Sequence, residues 1–180
     1  MKKKILILLI STLITLCVIF VGLQQVPYFY MNKSNKVSID GAGGVNRFYF
    51  QDLADESFDI FPSPCPDLLY SNLVFDLSKT ALFIEFPIYN DFWVSQMVAD
   101  NTDTFAYVGY KTLTNSPVKI VLFSSSSPKF NHPPGAKMIK APSDKGLILL
   151  RHLVKDKNDL SSIDAIRKSV RIIELSKGNL

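Results

Sequence analysis

The side chains able to do chemistry in this sequence are few and spread along it. Asp67, Asp76, Asp100 and Asp103, with Asn101 between the last two, stand beside turn residues where apolar runs stop. Carboxylates gathered at strand ends can move protons or hold calcium. The same residue types also hydrogen-bond their own turn backbone, which is the plainer use. Tyr70, Trp93, Tyr107 and Tyr110 offer flat rings with a polar handle, fit for an apolar or sugar ligand or simply for a core. Arg151 stands inside the apolar run LILLRHLV, where a charge is costly unless paired. Asp67, Asp76 and Asp103 are the acids it could meet, so a structural ion pair is expected. The candidate ligand-binding set is Asp67, Tyr70, Asp76, Trp93, Asn101, Asp103 and Arg151, with no residue assigned to catalysis.

Several other chemistries find no footing. His132 and His152 are the two histidines, twenty residues apart and without further ligands at suggestive spacing, so no metal site is expected. Gly41, Gly43 and Gly44 suggest a phosphate loop, but Val45, Asn46 and Arg47 follow where Lys-Ser/Thr should stand. The serines at 124–127 lack a Gly-x-Ser-x-Gly elbow. No cofactor is expected. Cys17 falls in an apolar segment and Cys65 in the polar part, so the two cannot pair within one chain, and a disulfide framework is excluded.

The elements that would position these residues are read from periodicity. Short apolar runs rich in β-branched and aromatic residues predict strands at 73–77, 81–88, 92–98, 105–112, 119–124, 137–141 and 147–154. Within the second run, Leu82, Ile84, Phe86 and Ile88 share one face and Glu85 takes the other, as in a half-buried strand. Turn residues separate the runs at Ser78 and Lys79, Asn90 and Asp91, 101–103, 115–117 and the long loop 124–135, and the proline-rich turn 61–67 precedes them. Ile163, Ile166, Val170 and Ile173 recur at helical spacing behind Asp159 and Ser161, either of which can cap a helix. The fold class expected is mainly β: an antiparallel, jelly-roll-like β-sandwich with one C-terminal α-helix, preceded by an N-terminal transmembrane helix.

Residues 5–23 carry no charge and as a helix would span roughly 28 Å, close to the hydrocarbon thickness of a bilayer. Three of the four net positive charges of the 180-residue chain come from Lys2, Lys3 and Lys4, which places the N-terminus in the cytoplasm. The remainder is near neutral without a basic stripe, so nucleic acid is excluded as a partner. An apolar run this long, followed by Gln24, Gln25, Val26 and Pro27 rather than a small-x-small site, predicts an uncleaved anchor. Tyr28, Phe29 and Tyr30 then suit the membrane interface. The organisation expected is a cytoplasmic tip at 1–4, a transmembrane helix at 5–23, a tether at 24–46 and one extracytoplasmic β-rich domain at 47–180. That makes it a single-pass protein of the inner (plasma) membrane with its domain periplasmic or extracellular.

Three ordered blocks carry a resemblance. They are Pro66-Asp67-Leu68-Leu69-Tyr70-Ser71 with Phe75-Asp76-Leu77-Ser78, then Trp93-Val94-Ser95 with Asn101-Thr102-Asp103, then Pro142-Ser143 with Lys145-Gly146 and Arg151. Together they resemble the bacterial family called domain of unknown function 1254, in its short, membrane-anchored form, over residues 43–172. Longer relatives carry an Asn-x-Asp-Thr-Leu-Tyr run where this chain has Cys65 and Leu68. In those relatives a second sandwich, domain of unknown function 1214, follows in the same chain. The resemblance therefore implies a binding or assembly role in the cell envelope with a partner carrying that second domain. An enzyme acting on a small substrate in a pocket of Asp67, Tyr70, Asp103 and Arg151 is the alternative, and convergence of those four side chains would distinguish it.

Overall fold

A computed structural model gives the fold and describes residues 2–54, 64–109 and 116–176. Tyr110, Asn115, the end of the strand expected at 105–112 and the first part of the turn expected at 61–67 lie outside the described residues.

The chain opens with α1, Lys2–Ala42. Its apolar first part is exposed, and it is long and apolar enough to cross a membrane by length and composition. The helix does not stop where the apolar run ends. It continues past Pro27 to Ala42, so most of the segment expected as a tether is helical. The reason is tertiary. A polar sequence such as MNKSNKVSID holds a helix poorly by itself, but Met31 and Ile39 pack on Val74, Val98 and Leu147 of a sheet, and the Ser38 hydroxyl accepts from Asn72 at 3.3 Å. Gly43, at φ 70°, then ends the helix. Gly43 N–H donates to Asp40 at 3.4 Å and Gly44 N–H to Ile39 at 3.0 Å, which are the two paired bonds of a Schellman stop. The glycines that look like a phosphate loop are a helix terminator.

Among the described residues nine strands follow: β1 Phe48–Phe50, β2 Leu68–Asp76, β3 Ala81–Phe86, β4 Trp93–Ala99, β5 Thr104–Gly109, β6 Val118–Phe123, β7 Lys137–Lys140, β8 Lys145–Leu153 and β9 Arg171–Leu175. They form two sheets, a first in the order β1-β2-β8-β4-β5 and a second in the order β7-β6-β3-β9. Pairing is antiparallel except between β6 and β7, which run parallel. The core lies between the sheets. Leu73, Phe75, Met97, Ile148 and Leu150 meet Leu82, Ile84, Phe86, Ile120 and Leu122 there, each set following the period-two alternation of its strand. Glu85 takes the other face of β3, where it pairs with Lys119 at 3.8 Å. Ile88 lies beyond the end of β3 and is exposed, so the alternation stops one step earlier than its pattern suggests.

The outer faces are covered differently. On the second sheet Ala81, Phe83, Val121 and Leu175 form a small cluster with Ala136, under Phe123 and Phe130; the long loop thus lies over that face. On the first sheet α1 lies over β2, β8 and β4. On the inner face of the same sheet, which it shares with Ile148, Gly146 is required by close packing: a Cβ would strike the Val98 carbonyl and the Phe75 ring.

The C-terminal region differs from its expectation. Asp156, not a later residue, caps a short 3-10 turn by accepting from Asn158 N–H at 2.8 Å. The α-helix that follows, α2, covers only Leu160–Lys168, and the chain then extends into β9, which pairs with β3 through Ile173 opposite Phe83. Ile173 therefore belongs to a strand. An unpaired edge of β3 competes for those residues and wins over an intrinsic helical spacing, since β-branched residues sit well in a pleated sheet.

Candidate functional site

The residues singled out by type do not converge. Asp67 stands before β2 and pairs with Lys157 at 3.3 Å, both side chains well exposed. Asp76 ends the same strand, accepting from the Ser78 hydroxyl at 2.6 Å and from Ser78 N–H at 3.1 Å, with Lys145 at 3.5 Å. Partial burial works to raise the Asp76 pKa, but the Ser78 hydrogen bonds and Lys145 outweigh it and hold the carboxyl below its ordinary range. Asn101 and Asp103 bond each other across the β4–β5 turn, at 2.7 Å and 3.2 Å, where Thr102 takes φ 72°. These are turn-stabilising acids. Since β2 is nine residues long, Asp67 and Asp76 are separated by roughly 30 Å of strand. Asp103 lies at the Asp76 end, because Ala99 pairs with Gly146 and Asp76 with Lys145.

Tyr70 and Arg151 do meet, as cross-strand neighbours of β2 and β8. Tyr70 is buried, and its hydroxyl accepts from Cys65 N–H at 2.8 Å. Arg151 forms no ion pair with Asp67, Asp76 or Asp103, or with any other acid among the described residues. Its guanidinium donates to Gln96 Oε1 at 2.8 Å, and Gln96 donates in turn to Thr104 at 2.7 Å. The strand alternates buried and half-exposed positions here, so Arg151 reaches the outer face and never bears the cost of full burial. Trp93 faces inward beside Phe86, ring centres 5.4 Å apart, and is core. Tyr107 is exposed on the edge strand β5.

Among the described residues the buried charge is Arg167, 3 % exposed. Its spacing of four from buried Ile163 puts both on the inner face of α2, a signal the apolar pattern conceals by skipping it. From there the guanidinium donates to Gln51 O at 2.7 Å and Tyr70 O at 3.0 Å. Asp164 receives its Nε and second amino group at 2.6 and 2.5 Å, and the Phe50 ring lies 5.6 Å away. Arg167 therefore fastens α2 to β1 and β2. The Asp164 carboxyl feels burial, which raises its pKa, and the larger combined pull of Lys168 and Arg167, which lowers it.

His152 is the second buried ionisable group. It lies flat beside Trp93 at 6.4 Å and edge-on to Tyr89 at 5.2 Å, with no hydrogen bond to Nδ1 among the described residues. Burial, helped by the nearby Arg167 charge, lowers its pKa from 6.5 to about 4, so the ring is neutral at pH 7. Its place was legible, since Ile148, Leu150 and His152 share one face of β8 by period two. Among the described residues no three His, Cys, Asp or Glu side chains gather as metal ligands.

The concavity that remains open at the sandwich edge is a cleft of about 380 Å³ where β1 and β9 end their sheets side by side. Phe48, Phe50, Val170 and Ile172 give it apolar walls, with Arg47, Lys168 and Glu174 at the rim. Asn46 spans it, donating to Glu174 at 3.0 Å. A large exposed apolar patch on a sheet face is not found among the described residues. Among the described residues from 45 on, the exposed large apolar side chains are Val45, then Ile88 and Phe92 in the β3–β4 connection, Tyr107 on β5 and Met138 on β7.

Residues 45–174 match the family described as protein of unknown function (DUF1254). The chain belongs to this family. No curated protein matches it. Among solved structures this DUF1254 domain is similar to the VPA0106 protein from Vibrio parahaemolyticus, with a TM-score of 0.62 at 12% identity, covering 84% of this chain and 36% of that one. An uncharacterised protein from Burkholderia cenocepacia gives a TM-score of 0.48 at 13% identity, covering 86% and 41% of the two chains. The first likeness establishes a shared sandwich fold. The DUF1254 chain thus spans well under half the length of either relative.

Proposed function

We propose that this DUF1254 protein is a cell-envelope module that acts by binding and assembly rather than by catalysis. It is held in the inner (plasma) membrane by α1, with its N-terminus cytoplasmic and its domain outside. Its partner is a protein carrying a domain of unknown function 1214. The observation that supports the reading is the cleft between β1 and β9, with apolar walls and a charged rim: two sheet edges end there together, and an edge is where a further sandwich can add its own strands. The similarity to about a third of a longer chain agrees with a module that works beside another. The enzyme alternative draws no support from the placement of Asp67 and Asp103 at opposite ends of the first sheet.

Affinity purification of the tagged full chain from detergent-solubilised envelopes tests this. A stoichiometric companion with the second domain is expected, and its loss in Val170→Glu, which puts a charge on the cleft wall, locates the contact. Recovery of the folded wild type as a monomer under mild detergent would sink the partner, leaving a module that binds its ligand alone.

A further inference from the structure

β9 forms one edge of the second sheet among the described residues, and over its five residues it runs about 17 Å. One side of it pairs with β3. An edge strand presents the N–H and C=O groups of its other side to whatever can pair with them. β1, the edge across the cleft, has three residues and already has α1 against it, with Gly41 on the Tyr49 ring. β9 is therefore the longer and more open of the two edges.

The side chains of β9 divide by period two. Ile173 and Leu175 belong to the outer cluster of the second sheet, whereas Ile172 and Glu174 line the cleft with Phe48 and Phe50. The charges around that cleft do not balance. Glu174 already accepts from Asn46 at 3.0 Å. Lys168 has Asp164 beside it, but Asp164 also serves Arg167. Arg47 is exposed and forms no ion pair among the described residues. An occupant meets apolar walls, an open backbone edge and a cation that lacks a counter-charge.

We infer that the cleft takes an extended segment of the partner, about five residues long, which pairs along β9, turns alternate apolar side chains inward and sets a carboxylate against Arg47. The inference rests on the assembly reading above and adds the chemistry of the partner's contact segment. A segment bearing lysine or arginine would meet like charges at Arg47 and Lys168. A free apolar acid would answer Arg47 and the walls but use none of the β9 backbone.

The test uses the full chain in mild detergent and fluorescently labelled peptides blocked at both ends, with binding read by anisotropy. The acidic probe is Val-Thr-Val-Thr-Glu and its basic counterpart Val-Thr-Val-Thr-Lys. A third probe is the acidic one N-methylated at two successive residues, so that a blocked N–H faces β9 in either register. The acidic probe should bind about tenfold more tightly than the basic one, and N-methylation should abolish its binding. Arg47→Glu should reverse the preference, and the gain in affinity for the basic probe shows that this variant is folded. Lys137→Glu, exposed on β7 at the opposite edge of the second sheet, should leave the preference unchanged. Equal binding of the acidic and basic probes, full binding of the N-methylated probe, or an Arg47→Glu chain that behaves as wild type would overturn the inference. So would a wild-type dimer that Val170→Glu converts to a monomer, because the occupant is then a second copy of the chain. If a companion co-purifies equally with wild type and Arg47→Glu, this inference falls and the assembly reading stands. If the acidic probe binds as expected but no companion is recovered, the partner falls and the chemistry of the β9 edge stands.

Discussion

Arg167 and Arg151 settle the same charge in opposite ways, and the difference predicts how each tolerates change. Arg167 is buried and fully engaged by two backbone carbonyls and Asp164, so its removal strands those acceptors. Arg167→Ala should destabilise the domain by about 3 to 5 kcal/mol, and Arg167→Lys should recover little, because an ammonium cannot span acceptors that a planar fork reaches. Chemical denaturation of the detergent-solubilised chain measures both; a cost like that of Arg151→Ala would mean the clamp carries no weight. His152 makes stability pH-dependent. Between its unfolded pKa of 6.5 and its folded value of about 4, the unfolded chain binds a proton that the folded chain refuses. Stability is therefore complete above pH 6.5 and falls as pH drops toward 4, by up to about 3 kcal/mol. The Tm should decline over that window in the wild type and hold nearly level in His152→Leu. Equal slopes in the two proteins would remove His152 as the cause.

Elements show where periodicity suffices and where it fails. The seven strands read from alternation all appear, because each has a face against the core. The two that escape, β1 and β9, are edge strands made by pairing with a neighbour: β1 has only three residues, and the apolar residues leading into β9 carry a helical spacing that the β3 edge overrides. Beyond Tyr28, α1 likewise depends on what it touches. Ile39→Asp places a charge against Val74 and Leu147 and should release this part of the helix from the sheet. Amide exchange across residues 28–42 should then quicken while β3 and β6 keep their protection. Unchanged exchange would show that the helix stands without its docking.

For the whole molecule, a continuous α1 implies that the domain is carried on a stiff post rather than a loose tether. The proposed orientation predicts that a reporter active only outside the cytoplasm, fused after Leu180, is active, and that the purified protein keeps its residues before Gln24. Cytoplasmic activity of the fusion would reverse the orientation, and a mature N-terminus near Gln24 would replace the anchor with a cleaved signal.

Local order was enough to determine several things from the sequence alone. The apolar span, the alternation of Leu82, Ile84 and Phe86, and the turn acids at 76–78 and 101–103 each depend on residues a few positions apart. The family was also legible, since its blocks are contiguous. Tertiary structure decided the rest. It gave Arg151 a glutamine where an acid was expected, buried Arg167 instead, turned the end of the C-terminal segment into β9, and set α1 upon the first sheet. In each case the deciding partner lies far along the chain: Gln51 for Arg167, Phe83 for Ile173, Val74 for Met31. A pattern read within one segment has no access to a partner that only folding brings beside it.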